Sequence, residues 1–174
     1  LIFSVLLGLI FSEIFNANSI EYIPYIMSGL TVWSFISNQL LDSINIGQSY
    51  SGFIKNTNIS IYFLVLVNLI RNFINFLIVA PVLMILLYNS GQNIDFLGFI
   101  HGSTILLIYL YLTSYIFAVI GLRFKDFKNA ISTIFMVVPF ATPIMWKPDL
   151  LKNRPVFLDW NPANSLINLI KSPL

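Results

Sequence analysis

GLRFKDFKNAISTIFMVVPFATPIMW, residues 121–146, decides how the rest of the chain is read. Arg123, Lys125, Asp126 and Lys128 form a compact charge cluster between two long apolar runs. An apolar segment carrying Pro139 and Pro143 leaves that cluster and ends at Trp146. Charge gathered at one end of an apolar, proline-broken helix marks a turn at a membrane face, on the side where basic residues collect. The remaining helices can be counted outward from it.

The composition supports that frame. Of 174 residues, 57% are hydrophobic and only 9% charged, and the mean hydropathy is +0.85. A soluble domain carries about 25% charge, so these few charges cannot cover a globular surface, and the chain reads as an integral membrane protein. Its 16 phenylalanines suit lipid-facing helices. A net charge of +2 gives no footprint for nucleic acid. The absence of cysteine removes disulfides, thiolate nucleophiles and thiolate metal sites together. Leu1 already lies inside an apolar run and Leu174 follows a helical pattern. Residues 1–174 are therefore expected to be a single transmembrane domain cut at both ends.

The expected fold is an all-α transmembrane bundle. Residues 1–15 are too short for the roughly 20 residues of a span and read as the second half of a first one. A second span is expected over 24–46, with Pro24 in its first turn. Thr31, Ser34, Asn38, Asp42 and Asn45 recur along it at steps of three or four, which places them on one stripe. Residues 47–60 form a Gly/Ser/Asn-rich connector around Lys55. The third span, 61–88, is longer than a bilayer core requires. It carries Asn68, Arg71, Asn72 and Asn75 on one face, and Pro81 is expected to kink it. A fourth span covers 96–121, with His101, Thr104, Ile108, Tyr111 and Tyr115 aligned, and a fifth covers 129–146. Residues 161–172 hold a short apolar helical stretch that cannot span. Connectors after the second and fourth spans carry Lys55, Arg123, Lys125 and Lys128, which favours a cytoplasmic face for them. Lys147, Lys152, Arg154 and Lys171 would then lie on the opposite side.

Three segments together resemble the membrane permeases of bacterial ABC exporters for polysaccharides, the group serving O-antigen, capsule and teichoic-acid export. YIMSGLTVWSF (25–35) is similar to the start of the family's second span, and GLRFKDF (121–127) to its basic-aromatic-basic-Asp turn. TPIMWKP (142–148) with WNP (160–162) is similar to its exit and the later segment before its re-entrant helices. The resemblance implies a multi-pass protein of the bacterial cytoplasmic membrane. In it, two permease copies would form a channel and two ATPase subunits would drive a lipid-linked glycan outward. It places Phe53, Ile54, Lys55 and Asn56 where the family contacts its ATPase. It also places Arg123, Lys125, Asp126 and Lys128 at the cytoplasmic mouth, near a lipid diphosphate. Trp160, Asn161 and Pro162 would open a re-entrant segment at the exit. ATP and magnesium would be bound by the partner, since no Walker-type glycine loop is present here.

Each candidate residue also has a plainer reading. The basic turn can receive an anionic lipid carrier or simply set topology. Asn38 and Asp42 can line a channel, or the stripe can tie helices together. Arg71 is a charge within a span, which marks a functional candidate, or it escapes to the interface by snorkelling. Tyr111 and Tyr115 can offer sugar-stacking faces or pack. His101 stands alone, which argues against a metal site. No catalytic or metal-ligating set is expected. Two other functions stay open: a membrane-embedded glycan-processing enzyme, which needs converging acidic, His or Arg residues, and a fragment of an ion-coupled secondary transporter, which needs inverted repeats.

Overall fold

The structure, a computed structural model, describes residues 2–49, 59–91, 95–146 and 161–172. They form α1 (Ile2–Ile14), α2 (Ser19–Ser49), α3 (Ile61–Asn89), α4 (Phe96–Arg123), α5 (Phe127–Ala141) and α6 (Pro162–Lys171), with no strand among the described residues. The all-α expectation holds.

α2 is the hub, and it packs against each of the other five helices. Val32, Trp33, Phe35, Ile36 and Leu40 put it at the centre of a core shared with Leu69 and Phe76 of α3 and Leu106 and Leu110 of α4. Ile144, Ile167 and Ile170 close that core from the chain's later part. Trp33 meets Phe135 edge-on at 5.4 Å, and Phe35 stacks on Phe76 at 5.2 Å. Near its C-terminal end α2 approaches α4 at Gly47 and Gly121, where backbone lies against backbone. Small residues allow such a crossing, and within lipid the close packing it permits is a main source of helix association.

α3 and α4 are long and apolar enough to cross a membrane. In each, only 28% of the apolar window is buried, so these are not core helices of a soluble domain. Ile78, Ile85, Leu97 and Ile108 instead face outward, as a lipid-contacting surface requires. α1 and α5 are apolar but shorter. α2 has the length of a span but carries more Ser, Asn and Gln, of which Ser28, Gln39 and Ser43 are buried.

Two expected boundaries are corrected. α2 begins at Ser19 rather than residue 24, so Pro24 lies inside the helix. Asn18 starts it, its Oδ1 accepting from Ile20 N at 3.1 Å and its carbonyl from Glu21 and Tyr22. Proline inside a helix costs more than such a cap returns, and the burial of Tyr22, Ile26 and Met27 in the core holds these turns helical. α5 ends at Ala141, not at 146. Pro143 forces extended backbone on Thr142 (φ −111, ψ 151), whereas Pro139 stays within the helix. α3 continues through Pro81.

The unwound segment after α5 packs on the start of α2. Tyr22 Oη donates to Met145 O at 2.9 Å, and Tyr25 Oη to Pro143 O at 2.9 Å and Trp146 O at 3.2 Å. Ile144 covers Gly29, and Lys171 of α6 sits 3.2 Å above the Tyr25 ring. Tyr22 is fully buried, so Tyr22→Phe strands a carbonyl. Thermal unfolding in detergent should show a loss of about 1 kcal/mol; an unchanged midpoint would remove this bond from the account of how the segment is held.

Candidate functional site

A polar network ties α2, α3 and α4 together, and Gln39 is its centre. The Gln39 side chain is fully buried. Its Oε1 accepts from Asn68 Nδ2 at 3.1 Å and Asn72 Nδ2 at 2.9 Å. Its Nε2 donates to Ser114 Oγ at 3.0 Å and Ser43 Oγ at 3.4 Å. Gln39 with Ser43 and Asn68 with Asn72 are pairs four residues apart, so each pair stacks on one helical face. That spacing lets one glutamine engage two asparagines from the same neighbour.

The network surfaces at an ion pair. Arg71 Nη2 donates to Asp42 Oδ2 at 3.1 Å and to Asn68 Oδ1 at 2.6 Å, and Asn72 Nδ2 reaches the same Asp42 oxygen at 3.2 Å. The Arg71 side chain is 65% exposed and that of Asp42 34%. A cavity of about 270 Å³ opens beside the pair, lined also by Asn45, Ile46, Leu64 and Val67. Further along the same helix pair, Thr31, Ser34, Asn38, Asn72 and Asn75 line a second cavity of about 180 Å³ with Phe35, Phe76 and Val79. A third, of about 260 Å³, shares Thr31, Ser34 and Val79 and reaches Phe3 and Ser4 of α1. The result is a polar furrow along α2 and α3 from residue 31 to 45, roughly 21 Å at the helical rise.

Of the five residues expected as possible channel-lining positions, Asn38, Asp42 and Arg71 border this furrow. Tyr111 and Tyr115 lie elsewhere. Tyr111 borders an apolar groove between α3 and α4 with Leu66, Ile70 and Phe73, and Tyr115 stacks on Tyr62 at 4.1 Å with planes 9° apart. Arg123, Lys125 and Asp126 are exposed and Lys128 half-buried at the turn between α4 and α5. Gln48 Nε2 donates to the carbonyls of Phe124 (3.2 Å) and Lys125 (2.8 Å), fixing that turn to the end of α2. Asn161 caps α6, its Oδ1 accepting from Ala163 N at 3.0 Å, with Pro162 in the first helical position. Phe53, Ile54, Lys55, Asn56 and Trp160 lie outside the described residues.

Gln39, Ser43, Ser114 and Gln48 were not anticipated, although the four-residue spacing of Gln39 and Ser43 was available as a signal. The site offers amides and hydroxyls along its length and one compensated charge pair at its end. Among the described residues no three His, Asp or Glu side chains converge. Its chemistry is hydrogen bonding to polar groups.

No protein-family model matches the chain. Two curated proteins of Klebsiella pneumoniae, both named O-antigen export system permease protein RfbA, are each 23% identical to it over 172 residues. The match covers 96% of this chain and 66% of the length of each relative. The chain is a distant relative of the polysaccharide-export permeases. The relationship agrees with the exposed apolar surfaces of α3 and α4 in pointing to a membrane protein, and it favours a transporter over an enzyme. Two of the three segments that carry the resemblance are also in contact, since 142–146 packs on Tyr22, Tyr25 and Gly29.

Proposed function

We propose that this chain is part of the permease subunit of an ATP-driven exporter that moves a polysaccharide or lipid-linked glycan across the bacterial cytoplasmic membrane. The observation that carries the reading is a match to O-antigen export permeases over 96% of the chain. α1 to α5 are read as five spans and α6 as a re-entrant helix at the exit. Two copies form the channel. A separate ATPase binds ATP and magnesium and docks near Phe53, Ile54, Lys55 and Asn56. The basic turn, held to α2 by Gln48, faces the cytoplasm. The amide-lined middle of the furrow, around Asn38 and Asn75, supplies donors and acceptors suited to sugar hydroxyls.

The test is co-purification of the full-length protein, in mild detergent, with the ATPase encoded beside it. A stable complex whose ATP hydrolysis rises with lipid-linked glycan is the expected result. A protein that purifies alone and responds to no glycan would overturn the reading. Within the complex, Lys55→Asp should abolish glycan-stimulated hydrolysis while membrane insertion is kept. Full stimulation in that variant would move the ATPase contact elsewhere.

A further inference from the structure

Arg71 uses a single nitrogen, Nη2, for both of its side-chain bonds. Among the described residues its Nε and Nη1 meet no acceptor, Asp42 Oδ1 meets no donor, and the Asn45 amide is unpartnered. Arg71, Asp42 and Asn45 line the cavity of about 270 Å³ together with Asn68 and the apolar Ile46, Leu64 and Val67. The cavity has room for roughly nine waters at ~30 Å³ each, the scale of a small polar headgroup.

Its depth matters as much as its lining. Arg71 lies about 15 Å along α3 from Ile61, and Asp42 about 10 Å from the end of α2. With a ~30 Å hydrocarbon core centred on these helices, the pair sits roughly 2–8 Å inside the edge, within reach of the headgroups for a long arginine side chain. The nearest face is the one carrying Gln48 and the basic turn. Donors and charges left without partners at this depth are expensive, so the cavity selects a polar occupant. A purely anionic group would meet the Asp42 carboxylate beside the guanidinium. A group bearing both charges satisfies both sides of the pair.

We propose that this cavity holds the headgroup of a membrane phospholipid carrying phosphate and a primary ammonium. The phosphate accepts from Nη1 of Arg71, and the ammonium donates to Asp42 Oδ1. The apolar walls take the glycerol end. This inference depends on membrane placement and not on what the protein exports.

The experiment incubates the full chain with vesicles of equimolar phosphatidylethanolamine and phosphatidylglycerol, re-extracts it in mild detergent and counts retained lipid by mass spectrometry. Phosphatidylethanolamine should be retained about tenfold over phosphatidylglycerol, the scale of one charge-assisted hydrogen bond. Arg71→Gln should lose both lipids. Asp42→Asn, which keeps an acceptor but removes the negative charge, should invert the preference toward phosphatidylglycerol. Leu112→Ala, in the apolar groove on the far side of α3, should leave the preference unchanged. Equal retention of the two lipids by the unaltered protein, or an unaltered preference in Asp42→Asn, overturns the proposal.

Discussion

Gln39→Leu lowers the stability of the bundle by about 2–4 kcal/mol in reversible unfolding from mixed micelles. Four hydrogen bonds leave with the amide. Interhelical bonds within membranes average ~0.6 kcal/mol each, which sets the lower end. The upper end comes from a buried donor left without an acceptor, at about 1–3 kcal/mol. That donor is Asn68 Nδ2, because Asn72 keeps the Asp42 oxygen at 3.2 Å. Removing the two asparagine partners along with it should behave differently. The triple variant Gln39→Leu, Asn68→Leu, Asn72→Leu strands no amide and should recover most of the loss. A loss below about 1 kcal/mol for the single change would show that the network is not a structural tie.

Gly47→Val should be comparably damaging, about 3 kcal/mol or more, at the upper end of what overpacking costs. A Cβ on Gly47 would run into the Ala118 carbonyl oxygen and come within 2.9 Å of Leu122 N. Across the crossing, a Cβ on Gly121 would lie 2.7 Å from Ile44 O. Neither obstacle is a side chain that can rotate aside, so α2 and α4 have to separate. The Gln39–Ser114 bond between the same two helices is then pulled apart as well. Gly29→Ala is the comparison, because its nearest neighbour is the Cγ2 of Ile144 at 3.0 Å, a side-chain atom able to give. The same unfolding assay should show less than about 1 kcal/mol there. Equal losses at the two glycines would mean that backbone contact is not what limits the crossing.

The parts of this architecture that could be read from sequence are those set by local patterns. α3 and α4 are continuous apolar runs bounded by polar breakers, and the expected limits nearly coincide with those observed. The start of α2 was misplaced because Pro24 is the louder signal, while the Asn18 cap is a single common residue. The polar stripe of Thr31, Asn38 and Asp42 was legible from its spacing. Gln39 and Ser43 run beside that stripe, one helical step of about 100° away, with the same kind of composition. Which of two adjacent polar stripes turns inward is decided by where α3 and α4 pack, and local periodicity carries no record of that. Tyr111 and Tyr115 illustrate the same limit. Their spacing put them on one face of α4, but not on which side of α3 that face lies.

Because α2 holds every other helix, the order of synthesis becomes an issue for the cell. Ser114 follows Gln39 by 75 positions, a delay of roughly 4–15 s at ribosomal speed. Met145 follows Tyr22 by 123, roughly 6–25 s. In that interval Gln39 can already meet Asn68 and Asn72, 29 and 33 positions on, but its bond to Ser114 and the cover over Gly47 are still missing. A polar helix short of part of its partners is poorly suited to free lipid, so α2 is fully covered only once α4 and the segment after α5 are in place.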